Sequence, residues 1–181
     1  MKNGKDLLLC AAYEDCVPFY LFRTSFLKEN ALHFYPGIYH EDAEFTPRAL
    51  YAAQQVAVCG KPLYRVFPDP QSMARLPKVK AAYDLLTVAG SLHDFCHSRP
   101  MEDALCSVFA LRISIALNNA LSIISQFDRR EQHAFNAFFA EKRMLWEALR
   151  QSALKYRLEA RLFSVFPEHA VEIYRLMKKI G

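Results

Sequence analysis

His33-Phe34-Tyr35-Pro36-Gly37-Ile38-Tyr39-His40-Glu41-Asp42-Ala43-Glu44-Phe45-Thr46-Pro47-Arg48-Ala49-Leu50 is the most informative stretch of this chain of 181 residues. An aromatic run breaks at Pro36-Gly37, where Pro fixes φ and Gly accepts φ > 0, so a turn or small hairpin is expected over Phe34–Tyr39. Beyond it His40, Glu41 and Asp42 stand at the mouth of a helix expected over Glu41–Gln55, with Pro47 tolerable only near its start. Carboxylates in a first turn face exposed backbone amides that favour their ionised form. A rigidly held carboxylate serves either as a helix cap or as a general base beside a cleft. The pair Glu41-Asp42 leaves both readings open.

Upstream, a short helix is expected at Lys5–Ala12 and one or two helical turns at Ser25–Asn30. Between them Val17–Arg23 is β-branched and aromatic with Pro18 at its entry, a strand or a buried extended segment. Downstream, Val56-Ala57-Val58-Cys59 reads as a short buried strand, followed by a turn at Gly60-Lys61-Pro62. The breaker cluster Pro68-Asp69-Pro70-Gln71-Ser72 marks the main change of character. After it Val79, Tyr83, Leu86, Gly90 and His93 recur at helical spacing. Met101–Phe127 is apolar nearly all round and should be the central helix. Arg129–Tyr156 predicts one long amphipathic helix, and Pro167 opens a last one that ends at Lys179. The expected fold class is therefore mainly α, with a few short strands or a hairpin in the first third. The expected organisation is a segment 1–75 and a helical region 76–181.

Composition bounds the function. Half of the chain is apolar (52%), enough for a real core. The net charge of +4 comes entirely from residues 141–181, which hold nine basic and five acidic side chains, whereas residues 1–140 are neutral. That excess is small and no recognised motif accompanies it, so no nucleic-acid partner is expected. Lys142, Arg143, Arg150, Lys155, Arg157 and Arg161 interleave with apolar residues as a solvated helix face does. They also suit a helix lying on anionic lipid. The most apolar run, Leu105–Phe127, is interrupted by Arg112, Asn118 and Asn119 and reads as a buried helix rather than a membrane span. Five cysteines with no C-x-x-C pair, and no charged-then-apolar leader, fit reduced thiols in the cytoplasm.

Three further constellations carry chemistry on paper. His93 and His97 lie at i, i+4 with Cys96 beside them, metal-ligand spacing on a helix, but no second ligand pair accompanies them and no metal site is expected. Cys10 and Cys16 could approach across a helix end, and Cys59 in its apolar strand should be inert. Phe135, Phe138, Phe139 and Trp146 recur at helical spacing, as core aromatics do.

The order Phe22-Arg23-Thr24-Ser25-Phe26-Leu27, Glu29-Asn30-Ala31-Leu32-His33-Phe34 and Gly37-Ile38-Tyr39-His40-Glu41-Asp42 resembles the second half of a family-two glycosyltransferase of the GT-A type. The likeness runs on through Phe45-Thr46-Pro47-Arg48-Ala49-Leu50 and Pro62-Leu63-Tyr64 and covers roughly residues 3–75. It implies an inverting sugar transfer in the cytoplasm, peripheral at the inner face of the membrane, onto a glycan or lipid-linked acceptor. Asp42 would be the general base, Glu41 its neighbour in the acceptor site, and His40 a contact to acceptor or phosphate. Tyr64 and Arg65 would lie toward the substrate.

The sequence departs from that pattern in two places. It has no Asp-x-Asp, no glycine-rich phosphate loop and no βαβ alternation, so a divalent Mn or Mg ion is expected only with a donor-binding half supplied elsewhere. In the run Tyr64–Ser72, only Ser72 and a displaced Arg65 remain of a segment that often meets the diphosphate. The expectation is thus the acceptor-side and C-terminal portion of such an enzyme, as a gene fragment or half of a split enzyme, completed by a nucleotide-sugar-binding chain or covered in a homo-oligomer. On that view the apolar residues Phe19–Phe22 and Val56–Val58 should be partly exposed. The alternative is a non-catalytic helical interaction or scaffold module derived from the family.

Overall fold

The computed structural model describes residues 3–10, 13–65, 67 and 78–180. The breaker cluster Pro68–Ser72, with Ser72 itself, lies outside the described residues. The fold is mainly helical and divides into two compact units, Met1–Leu76 and Pro77–Gly181.

The first unit holds α1 (Gly4–Leu9), α2 (Thr24–Glu29) and α3 (Glu41–Ala52). Asn3 opens α1 with a capping box: its side chain accepts from the Asp6 N–H at 2.8 Å, and Asp6 accepts from the Asn3 N–H. Helix α1 packs on α3 where Gly4 leaves no side chain in the way, and the Gly4 N–H donates to Ala53 O at 2.8 Å. The small core is built on Leu32, Phe45 and Ala49, with Val17, Phe22, Phe26, Leu27 and Ala52 packed against them. The Phe45 ring lies parallel to Phe34 at 4.3 Å between centroids and meets the edge of Phe22 at 5.5 Å.

The expected strands are not found among the described residues. Val17–Phe19 is a 3-10 turn, because Pro18 has φ set for a first helical turn and no N–H to give to a ladder. Phe34–Tyr39 makes a turn at Pro36-Gly37, with Gly37 at φ 74°, but no hairpin pairing. Val56 forms an isolated bridge, and residues 57–65 are irregular, bend at Lys61 and are exposed. A short β-branched run has no ladder without a neighbouring strand to pair with. Cys59, expected to be buried, is exposed for the same reason.

The second unit comprises α4 (Val79–His97), α5 (Asp103–Ile124), α6 (Arg129–Ala140), α7 (Met144–Arg150), α8 (Leu154–Val165) and α9 (Ala170–Ile180). Helices α4 and α5 pack along each other, and α5 also meets α6, α7 and α9, which makes it the central helix. By length and composition α5 could cross a membrane, but over half of its apolar window is buried in the fold. Leu85, Leu92, Phe109, Leu117 and Leu121 are among its fully enclosed contacts and neighbours.

The single long helix expected over Arg129–Tyr156 is instead three: α6, α7 and the start of α8. Tight turns at Lys142 (Leu145 N–H to Lys142 O, 3.0 Å) and at Ser152 (N–H to Leu149 O, 3.2 Å) bend the chain back. In a straight helix Leu145, Trp146 and Leu149 would share one face with Phe135 and Phe139, but Trp146 would stand seven residues, about 10 Å, along the axis from Phe139. The bend lets Trp146 stack on Phe139 at 6.0 Å and approach Phe163 at 6.2 Å. Packing overrides propensity here. The last helix is entered by a 3-10 turn, Pro167–His169.

Candidate functional site

Helix α3 carries the ionisable residues of interest. It begins after His40, which sits in the left-handed region at φ 64° with no side-chain cap. A non-glycine residue there is uncommon and forces a sharp change of direction. The effect is to swing the chain from the Gly37 turn directly into the first turn of α3. His40 and Glu41 are exposed, and Asp42 is half-buried.

The Asp42 carboxylate is held at one end only. Its Oδ1 accepts from the Ala43 N–H at 2.8 Å. Its second oxygen has no hydrogen-bond or ion-pair partner among the described residues. Cys16 lies in its field: burial, then the charges of Asp42 and Glu14, push the thiol above its usual range. Cys16 is therefore a protonated neighbour and not a nucleophile.

The rest of α3 is an anchor. Glu44, only 1% exposed, is paired with Arg48 at 2.6 Å, and the same guanidinium donates to His33 O at 2.9 Å. Thr46 donates to Asp15 O at 3.0 Å. These contacts tie the helix to the loops before the Gly37 turn and after α1. Pro47 is enclosed in the second turn, deeper than the start of the helix where it was expected. The Glu44–Arg48 pair was missed in sequence, although its i, i+4 spacing on an otherwise apolar face could have shown it.

Tyr64 and Arg65 are exposed. The Tyr64 ring meets Phe19 edge-on at 6.4 Å, and the Arg65 guanidinium lies over Phe67 at 5.9 Å. No hydrogen bond, ion pair or ring contact joins them to His40, Glu41 or Asp42 among the described residues. The three helix-mouth residues are adjacent at the start of α3.

In the second unit His93 and His97 stack at 4.0 Å between ring centroids, and His97 Nδ1 is bonded to His93 O at 2.8 Å. Burial raises the Cys96 thiol to about 12, with Cys106 adding to the shift and Arg99 opposing it, so it is inert. No three metal-ligating side chains converge among the described residues.

Comparison with family models, with curated proteins and with solved structures gives no match.

Proposed function

We propose that residues 3–75 are the acceptor side of an inverting glycosyltransferase of the family-two, GT-A type, with Asp42 as its general base. The observation that carries this reading is the state of Asp42. One oxygen is fixed by the Ala43 N–H, the other is open, and the helix beneath is clamped by Glu44, Thr46 and Arg48. A base needs that combination of fixed orientation and free lone pairs. In the reaction, Asp42 takes the proton of the acceptor hydroxyl as its oxygen bonds to the anomeric carbon. The bond from that carbon to the diphosphate breaks, and the nucleoside diphosphate departs. Glu41 and His40, exposed beside Asp42, would contact the acceptor.

The exposed apolar residues of the first unit support the same reading. Leu21 is 92% and Val58 87% exposed, and Phe19, Leu63 and Phe67 are also open, as a surface made to lie against a further sheet would be. The divalent metal of such enzymes does not fit this chain's own residues. No Asp-x-Asp is present in its sequence and no ligand group forms among the described residues, so no step here runs through a metal.

A microbial glycan array tests the acceptor role directly. Binding of the chain to a defined glycan class, lost at least tenfold in His40→Ala while Asp42→Asn still binds, is the expected result. The absence of any bound glycan overturns it. A thermal-shift screen against UDP-, GDP- and CMP-sugars with and without Mn²⁺ completes the test, since a ligand of the native state raises its melting temperature. A metal-dependent shift would place a donor site in this chain against expectation.

A further inference from the structure

We propose that the outer face of α8 is a docking surface for an anionic lipid bilayer. The inference stands apart from the glycosyltransferase reading. Helix α8 buries Glu159, Ala160 and Phe163 toward its own unit. On the opposite side Leu154, Leu158, Leu162 and Val165 recur at i, i+4, i+8 and i+11. At 3.6 residues per turn they fall within about 80° of arc. Leu154 is 70%, Val165 66% and Leu158 41% exposed, and Phe166 continues the apolar surface past the helix end at 53%.

Within α8 the charges bordering this stripe have one sign, and the exposed Glu168 follows beyond Phe166. Lys155 borders it on one side, and Arg157 and Arg161 border it on the other, all three exposed. The side chains of Arg157 and Arg161 make no ion pair or hydrogen bond among the described residues. The helix's single carboxylate, Glu159, is enclosed on the far face. An ordinary solvated face mixes signs and interrupts its leucines. Here an exposed apolar stripe, one helix wide, is flanked by Lys155 on one side and by Arg157 and Arg161, whose side chains have no ion-pair or hydrogen-bond partner among the described residues, on the other.

That geometry fits a plane of anionic headgroups. The stripe enters the acyl boundary while the long cationic side chains reach outward to phosphate and carboxylate groups. The stripe presents no hydroxyl or amide that a folded protein partner would pair with. The missing counter-charges are the ones that phosphatidylglycerol or phosphatidylserine supplies.

Vesicle flotation of the whole chain tests it, using phosphatidylcholine vesicles with and without about a third phosphatidylglycerol, a lipid surface of the kind such cations attract. Flotation with the anionic vesicles, falling as salt rises, is expected. The Lys155→Gln/Arg157→Gln/Arg161→Gln variant should bind about a hundredfold more weakly. Leu154→Ser/Leu158→Ser should lose flotation with all cations intact. Arg129→Gln/Arg130→Gln, which removes two exposed cations from α6, should bind as the parent does. No flotation, equal flotation of the α8 variants, or an equal loss in the α6 variant overturns the proposal. So does a parent that is dimeric by sedimentation and becomes monomeric with Leu154→Ser/Leu158→Ser, because the stripe would then be covered by a second copy. All substituted side chains are exposed, and unchanged circular dichroism confirms the fold of each variant.

Discussion

The Asn118 side-chain amide donates to Glu159 Oε2 at 2.7 Å, joining α5 to α8 across 41 residues of chain. Glu159 is fully enclosed and Asn118 nearly so. Glu159 Oε1 and Asn118 Oδ1 are both shielded and have no hydrogen-bond partner. Two acceptors without donors are costly in the interior. A proton on Glu159 converts one of them to a donor. Burial indeed pushes this carboxyl above its usual 4.5, against the opposing pulls of the Asn118 bond and the Lys155 charge.

The second unit should therefore lose stability as the acid ionises. The folded state holds the Glu159 proton more tightly than the unfolded state does. Its contribution is complete below the ordinary carboxyl value and disappears as pH rises through the raised folded value. Glu159→Gln keeps a neutral partner for Asn118 and removes this slope. Trp146, the sole tryptophan, is buried in the same unit and reports its unfolding. The parent and Glu159→Gln should diverge as pH climbs from 4.5, with the variant the more stable at neutral pH. Tyr156, raised from 10.0 by burial and then by Glu159, titrates beyond that range. Parallel stability curves for the two proteins would mean Glu159 is ionised in the fold.

Much of the helical layout was legible because apolar periodicity survives in sequence. The spacing of Val79, Tyr83, Leu86 and Gly90 marks α4, and the near-continuous apolar run marks α5. What was not legible depended on partners far along the chain. The break between α6 and α7 exists because Trp146 gains Phe139 and Phe163, a contact no local pattern announces. The Val17–Arg23 and Val56–Cys59 runs have strand composition, but a strand needs a neighbour to pair with, and here one turns at Pro18 and the other lies exposed. At the candidate site, the first-turn position of Asp42 was readable from the turn residues before it. The clamp of Glu44 and Arg48 on His33 was not, since it joins side chain to a distant carbonyl.

That clamp should matter for the stability of α3 more than any surface ion pair. Arg48→Met leaves the enclosed Glu44 without its guanidinium and His33 O without a donor. Losing one partner of a buried pair costs about 3 kcal/mol, against less than about 1 for an exposed pair. Arg48→Lys retains the charge, but its shorter side chain does not carry the ammonium out to where Nη2 meets both Glu44 and His33 O, so an intermediate loss is expected. Native-state hydrogen exchange at the amides of Ala49–Ala52 measures it. Protection unchanged in Arg48→Met would show that the pair contributes no more than a surface bridge.

Two glycine substitutions should change stability in opposite directions although both place alanine in a helix. A Cβ on Gly4 would stand 1.9 Å from Leu50 O and 2.8 Å from Leu50 C, backbone atoms that cannot swing aside. The Gly4 N–H is also committed to Ala53 O at that contact. Gly4→Ala must push α1 off α3, and the overpacking cost of about 1–3 kcal/mol should exceed the gain of roughly 1 kcal/mol in helix propensity. Gly90, inside α4, has nothing within 4 Å of the place its Cβ would take. There only the reduced freedom of the unfolded chain remains, and Gly90→Ala should stabilise by about 0.4–1 kcal/mol. Urea unfolding of the two single variants reads both signs. A Gly4→Ala protein as stable as the parent would show that α1 and α3 do not meet at Gly4 in solution.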